Sequence, residues 1–355
     1  MRVGMTLYGS LDERSGGFRY DRRLVEELRA GGDAVEVVEL PWRSYPCGLL
    51  DNGSRRLRDR LDVDVDVMVQ DELAHPSLVR TNRHLPYPIV SIVHHLRASE
   101  RRRLAPLYRA VERRYLDTVD AVVCTSTVTR DVVTGLGVDG DATVVAPPAG
   151  DRFDPAIGAT TIHERAHEDP LRIVFVGNVT PRKGLDSLMT GLAAADTDAE
   201  LTVVGRALDE DYVAGVRRTV AERGLTDRVR FAGELSDADL AATLQASHVL
   251  AVPSHYEGFG IVYLEGMSFG LPAIASRAGG ATDIVTDGET GLLVDPDVPT
   301  SIARAIETLA GDRDRLAEMG QAARHRYERH PDWGETTARV RQLLESVAAT
   351  AEVTK

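Results

Sequence analysis

HVLAVPSHYEGFGIVYLEGMSFGLPAIAS, residues 248–276, reads as one complete strand–helix–strand unit. HVLAVP (248–253) and PAIAS (272–276) are short apolar runs of the kind found in strands covered on both faces. Between them lies a loop interrupted by Gly258 and Gly260, then a helix from about Gly260 to Phe269. Free backbone N–H groups at such a helix start form an anion site, and the glycines let a ligand approach the backbone closely. Glu257 stands in the loop, and Glu265 stands between Leu264 and Met267 on an otherwise apolar helix. A carboxylate there costs free energy unless something hydrogen-bonds it.

The same alternation extends in both directions. LRIVFVG (171–177), AELTVVG (199–205) and RVRFAG (228–233) are further strands, with a helix from Ser236 to about Ala246 that Ser236 caps. Helices over 299–309, 312–327 and 333–350 close the chain. The first half repeats the pattern with RVGMTLYG (2–9), VEVVEL (35–40), VDVMVQ (65–70), IVSIV (89–93), AVVCTS (121–126) and TVVAP (143–147). Gly16 and Gly17 open its first helix and Gly31-Gly32 end it. A long helix follows, with Leu104, Leu107, Tyr108, Val111 and Tyr115 on a stripe expected to pack on the sheet. PPAGDRFDPAIGATTIHERAHEDP (147–170) has no sustained period and reads as a linker. The expectation is an α/β protein of two doubly wound, Rossmann-like domains facing across a cleft: 1–150, a linker over 151–170, and 171–332. Ligands then belong at the cleft and at the C-terminal ends of the strands.

Composition narrows the function. With 355 residues, 43% hydrophobic and 27% charged, the chain is long enough for two globular domains. It has no apolar run near ~18 residues and no secretory h-region at its start, so a soluble, cytoplasmic protein is expected. Cys47 and Cys124 alone cannot build a disulfide scaffold or a multi-thiolate metal site. A net charge of −13 argues against general nucleic-acid binding. Of 42 basic residues only Lys183 and Lys355 are lysines, a bias that fits adaptation to high salt and a GC-rich genome equally. Lys183 therefore marks a place where a compact ammonium is needed.

Three further motifs sit at strand ends. In FVGNVTPRKGLDSL (175–188) a strand ends at Gly177, and Arg182 and Lys183 occupy the turn into a helix, a pairing that suits a diphosphate. SRAGGATDIVTDGETGLLVDP (276–296) carries Gly279-Gly280, which could cradle phosphate, and DGETG, which is equally a plain turn. The third is Gly16-Gly17 itself. The DVDVD run (62–66) contains an Asp-x-Asp of metal-binding type, but its place before VMVQ favours simple alternation at a strand edge, and no metal is expected.

These residues together resemble the retaining nucleotide-sugar glycosyltransferases of the GT-B fold, the family 4 (group 1) class. The resemblance rests on Glu257 and Glu265 within EGFGIVYLE, the Arg182-Lys183 pair, the run from Gly279 to Gly288, the N-terminal Gly-Gly, and a histidine ending the IVSIV strand, all in family order. It implies that Glu265 holds the ribose hydroxyls and Glu257 the sugar hydroxyls. Arg182 and Lys183 would neutralise the diphosphate, assisted by Gly16, Gly17, Gly177 and the backbone of Gly258, Phe259, Gly260, Ile261 and Val262. Backbone over 231–235, ending at Leu235, would read the base. His94 would line the sugar site, with His95 as the competing choice. The family's last helix crosses back onto the first domain, and 333–350 matches it. No cofactor beyond the sugar-nucleotide substrate is implied, and the acceptor would be a saccharide or a lipid-linked one.

Other classes fit less well. G-x-G-x-x-G after a first strand is absent from both halves, which disfavours a nicotinamide dehydrogenase. A phosphorylase needs a pyridoxal lysine, and the one interior lysine already occupies the diphosphate position. A nucleotide-sugar epimerase of the same fold, or a binding protein without turnover, remains the alternative. Finally, Arg97, Arg101, Arg102, Arg103, Arg109, Arg113 and Arg114 concentrate on the helix expected near 97–116. That basic face suits a phosphate-linked acceptor or peripheral contact with an anionic membrane; the alternative is a solvated helix paired with Glu100 and Glu112.

Overall fold

Each half of the chain builds a six-stranded sheet whose paired strands all run parallel. The structure is a computed structural model that describes residues 1–13, 15–100 and 104–354. Lys355 and Arg101, Arg102 and Arg103 lie outside the described residues.

The first unit comprises Met1–Ala149 together with Pro331–Lys355. Its elements are β1 (Arg2–Tyr8), α1 (Gly16–Ala30), β2 (Ala34–Leu40), α2 (Tyr45–Asp51), α3 (Arg55–Leu61), β3 (Val67–Asp71), α4 (His75–Leu78), β4 (Ile89–Val93), α5 (Ala105–Leu116), β5 (Ala121–Cys124), α6 (Thr127–Gly135) and β6 (Thr143–Val145). The sheet order is β2-β1-β3-β4-β5-β6, so the chain reverses its direction of winding between β1 and β3. Loops that leave adjacent strands in opposite directions at such a reversal are the usual ligand position in doubly wound sheets. Ser15 starts α1 by accepting the Phe18 N–H, and Phe18, Leu24, Val25 and Leu28 bury one face against the sheet.

The second unit, Gly150–His330, contains α7 (Ala159–Ala166), β7 (Leu171–Val176), α8 (Leu185–Ala194), β8 (Ala199–Val204), α9 (Glu210–Glu222), β9 (Val229–Gly233), α10 (Asp237–Ala246), β10 (Val249–Val252), α11 (Ile261–Ser268), β11 (Ala273–Ser276), β12 (Gly291–Val294), α12 (Pro299–Gly311) and α13 (Arg313–Glu328). The order β12-β11-β10-β7-β8-β9 puts its reversal between β7 and β10. The motifs at 177–184 and 253–262 therefore leave adjacent strands at one switch point.

Three expectations need correction. The stretch 151–170 is not a free linker but part of the second unit. Its helix α7 buries Ile162, and the Arg165 guanidinium donates to the carbonyls of Gln245, Phe269 and Gly270. Two anchors on an eight-residue helix leave little periodic trace. The Leu104–Leu107 stripe does not pack on the sheet: Leu104 is 55% and Leu107 52% exposed, while Val111, Glu112, Tyr115 and Leu116 are buried. The Glu112 carboxylate is drawn inward to accept the Ala98 N–H, and burying it turns the helix away from the purely apolar register. Arg97 lies outside α5, in a separate short turn. The strand β12 was hidden behind DGETG, which is a turn closed by the Gly288 N–H to Gly291 O bond.

The chain re-enters the first unit as α14 (Trp333–Thr354). Trp333, Val340 and Leu344 join the core formed by β1 and α1, and the Trp333 ring meets Tyr20 edge-on at 5.3 Å. Thr336 donates to the Pro147 carbonyl at 2.7 Å. With Trp333 only 3% exposed, Trp333→Ala should cost about 3–5 kcal/mol through lost burial and a cavity. Urea unfolding followed by Tyr20-region amide exchange checks this; exchange slowed or unchanged in the first unit would contradict the packing.

Candidate functional site

Glu257 is the centre of the second unit's switch point. It leaves β10 after Pro253 and is 5% exposed, a position in which a bare carboxylate is untenable. Its Oε1 accepts from Lys183 Nζ at 2.5 Å and from Ser254 Oγ at 2.6 Å, and its Oε2 accepts from Arg182 Nη1 at 3.3 Å. Arg182 Nη1 also donates to the Tyr256 carbonyl at 2.8 Å, and the Arg182 carbonyl accepts the His255 N–H at 2.8 Å. The two loops are thus stitched by both backbone and side chains. Burial by itself would raise the Glu257 carboxyl, but Lys183, then Arg182, hold it at about 2. Lys183 is not a solvated turn residue: its side chain is only 13% exposed. Gly177 closes β7 directly beside the Lys183 side chain.

The helix start beyond Glu257 has the form expected of an anion site. Gly260 adopts φ +92°, and a Cβ there would fall 2.5 Å from the Tyr263 ring, so only glycine fits. No side chain among the described residues caps α11, leaving its first N–H groups, at Ile261 and Val262, to a ligand or solvent. Gly258 and Phe259 form the loop leading to it. Gly279 and Gly280 do not form an open cradle. Instead Gly280 donates its N–H to the Glu257 carbonyl at 2.8 Å, and a Cβ on either glycine would fall 2.2 Å from the carbonyl of Glu257 or Gly258. They buttress the loop.

Glu265, one turn into α11, is 4% exposed and pairs with Arg152 Nη1 at 3.5 Å. Arg152 in turn meets Asp237 at 2.6 Å, close to where Leu235 sits half-buried before α10. Arg152 carries no signal in the sequence because it lies in a stretch without periodicity, and Ser254 carries none because a serine after a strand has no special pattern.

The first unit brings together a different set. Gly16 and Gly17 begin α1, and a Cβ on Gly17 would sit 3.2 Å from the His94 ring. His94 Nε2 lies 3.2 Å from Asp21 Oδ1, and its carbonyl accepts from Thr125 Oγ1 at 3.2 Å. His95 turns instead toward Glu100, at 3.0 Å. Of the two histidines, His94 is therefore the one beside the Gly-Gly turn. Around it lie three buried acids that the sequence reading did not single out: Asp21, Asp71 and Glu72. Their only signal was the pair Asp71-Glu72 ending a strand. Gly16, Gly17 and His94 belong to the first unit and every other proposed site residue to the second. The Asp64 and Asp66 carboxylates of DVDVD both engage Arg2, Asp66 accepting its N–H at 2.7 Å and its guanidinium at 2.6 Å.

Residues 160–326 match the family model described as glycosyl transferases group 1, and residues 17–151 that of glycosyltransferase family 4. The D-inositol 3-phosphate glycosyltransferase of Corynebacterium glutamicum is 32% identical over 258 residues, or 69% of this chain and 62% of that protein, less than two thirds of its length. The D-rhamnosyltransferase WbpZ of Pseudomonas aeruginosa is 32% identical over 276 residues, covering 69% of this chain and 68% of that protein. Among solved structures, sucrose-phosphate synthase from Thermosynechococcus elongatus superposes with a TM-score of 0.82 at 22% identity, over 98% of this chain and 99% of that one. Anabaena Alr3699/HepE, solved with UDP-glucose, gives 0.78 at 18% identity, over 98% and 100%. At these identities the likeness is one of fold, and the fold is GT-B.

The Glu257 cluster makes a prediction about acid. Its folded pKa of about 2 lies below the ordinary 4.5, so its stabilisation is present above about pH 4.5 and lost as pH falls toward 2. Glu257→Gln should remove that component, flattening the acid limb of stability against pH in urea melts. An unchanged acid limb would show that Glu257 is not held by these cations in solution.

Proposed function

The chain belongs to the group 1 glycosyltransferases of family 4, and on that premise we propose that it transfers a hexose from a nucleotide-diphosphate sugar to an acceptor hydroxyl, with retention of anomeric configuration and no metal ion. The observation that supports it most is the Lys183–Glu257–Arg182 cluster beside the uncapped start of α11. A departing nucleoside diphosphate needs cations and N–H donors fixed before the reaction, because reorienting them during bond breaking raises the barrier. Glu257 does that fixing. Its Oε2 accepts one bond among the described residues, so a lone pair remains for a hydroxyl of the donor sugar. Glu265 then serves the ribose and backbone near Leu235 the base. In the reaction the bond from anomeric carbon to phosphate oxygen breaks and the acceptor oxygen bonds on the same face. The acceptor's proton passes to the departing phosphate oxygen. The two cations and the helix start supply the charge neutralisation a metal supplies elsewhere.

The acceptor is read as a saccharide or lipid-linked molecule carrying an anionic group. Arg97 supports this: its guanidinium carbon lies 5.2 and 5.1 Å from the ring centroids of Tyr45 and Tyr108, with the Glu112 carboxylate among its electrostatic neighbours. The exposed Leu104, just before α5, and Leu107 on that helix, which also exposes Arg109, Arg113 and Arg114, support contact with an anionic membrane. No helix among the described residues is long and apolar enough to cross a membrane.

NMR of the product anomer tests the central reading: the donor's configuration is expected, and an inverted product, or activity restored to chelated enzyme only by a divalent ion, would overturn it. Lys183→Ala should cut turnover by about 10² to 10³. It should also destabilise the protein by about 3 kcal/mol, because it strips a buried carboxylate of its nearest cation. The paired Lys183→Met/Glu257→Gln change should therefore recover stability but not turnover. Co-sedimentation should show binding to anionic but not neutral liposomes, weakened by Leu104→Ser/Leu107→Ser; equal binding to both would remove the membrane contact.

A further inference from the structure

The first unit solves a charge problem without cations. Asp21 in α1 is fully buried, and Asp71 and Glu72 at the end of β3 are 1% and 3% exposed. A carboxylate oxygen of each aspartate and a ring nitrogen of His94 lie within 4.8 Å of one another. Asp71 Oδ1 accepts the Leu73 N–H at 2.8 Å, and Asp21 Oδ1 meets His94 Nε2. Yet Oδ2 of both aspartates is buried and takes no hydrogen bond among the described residues. Glu72 spends its oxygens on the backbone N–H groups of His94, at 3.1 Å, and His95, at 3.4 Å. Two adjacent buried carboxylates cannot both stay ionised, and a proton on one of them supplies a donor for the other.

We propose that Asp21 and Asp71 share one proton, and that this proton-bridged pair, with Glu72, fixes the orientation of His94 over Gly17; Asp21 and Asp71 are then positioning residues. The consequence for sugar transfer rests on the reading of His94 as a sugar-site residue; the shared proton itself does not. The groups that face the pair agree with it. From the end of β3 comes Glu72; from the end of β4, His94; from α5, Tyr115, whose hydroxyl is engaged by Gln70 and Ser91; from α1 itself, Tyr20, with Cys124 of β5 behind it. The influences on Asp21 and Asp71 come from burial, from each other, from Glu72 and His94, and from the Leu73 N–H. Burial pushes both aspartates up to about 7 and Glu72 well above the usual range, while it lowers His94, so the imidazole stays neutral.

The sign follows. A carboxyl whose folded pKa exceeds its unfolded value of 3.8 destabilises the fold progressively as pH rises from about 4 through about 7. An asparagine mimics the protonated partner, so Asp21→Asn and Asp71→Asn should each abolish that decline while keeping turnover within about 3-fold of the native chain. Asp21→Ala, which removes the anchor of His94, should lower turnover about 10-fold or more by misplacing the ring. The His94 ring resonances, followed by NMR on the full chain and assigned with His94→Gln, should show an inflection near pH 7 in the native protein and none in either asparagine variant. If Asp21→Ala fails to fold, the asparagine variants and the NMR titration still decide. The proposal is overturned if Asp21→Asn and Asp21→Ala are equally impaired, if the His94 inflection survives in both asparagine variants, or if calorimetry shows Mn²⁺ or Zn²⁺ binding that Asp21→Asn abolishes. An intact inflection pattern with unchanged turnover in Asp21→Ala would keep the shared proton and discard His94's part in sugar transfer.

Discussion

A carboxylate buried at the end of β10 must be neutralised, and the whole second site is arranged around that requirement. Glu257 can be ionised there only because Lys183 and Arg182 arrive from the end of β7. They can arrive because β7 and β10 are neighbours in the sheet although far apart in sequence. The parallel order that reverses between those strands is therefore a condition of the Glu257 cluster and of the chemistry proposed for it. One ammonium and one guanidinium bound to a buried carboxylate also lose their rotamer freedom during folding, so in the proposed transfer a leaving diphosphate would meet cations already in place.

The first unit meets the same kind of burden by the opposite means. Asp21, Asp71 and Glu72 gather around His94 with no arginine or lysine among the influences on the aspartates, and protons do what cations do in the second unit. The two solutions have opposite responses to pH. Glu257 contributes stability that acid removes, whereas the aspartate pair is at ease in mild acid and strained as protons leave. A chain with 13 more negative than positive charges thus spends its only interior lysine where ionisation is essential, and leaves protons to settle acids elsewhere.

Packing ties these sites to distant stretches of chain. Gly279 and Gly280 hold the Glu257 loop by direct backbone contact, so the loop's position depends on the strand β11 that precedes them. Tyr20, one residue before Asp21, is pinned between the His94 ring and Trp333, which ties the His94 neighbourhood to the last helix.

The strands and most long helices were legible in sequence because each answers to a local rule: β-branched apolar runs for buried parallel strands, and 3.6-residue stripes for helices. Glu257, Glu265, Arg182, Lys183 and the glycines were legible because a charged or conformationally special residue at a strand end stands out against its neighbours. What the sequence could not convey was pairing. Nothing local says that Lys183 and Arg182 close on Glu257 rather than on solvent, that Arg152 reaches Glu265, or that Glu112 turns inward and exposes Leu104 and Leu107. Asp21 looked like any polar residue of an amphipathic helix, and Asp71 like a strand end. Only the tertiary structure, by bringing α1, β3 and β4 together, buries them against each other and makes their charge state a property of the fold. Periodicity is set along the chain, but desolvation and Coulomb interaction depend on distance in space, and that distance exists only once the chain has folded.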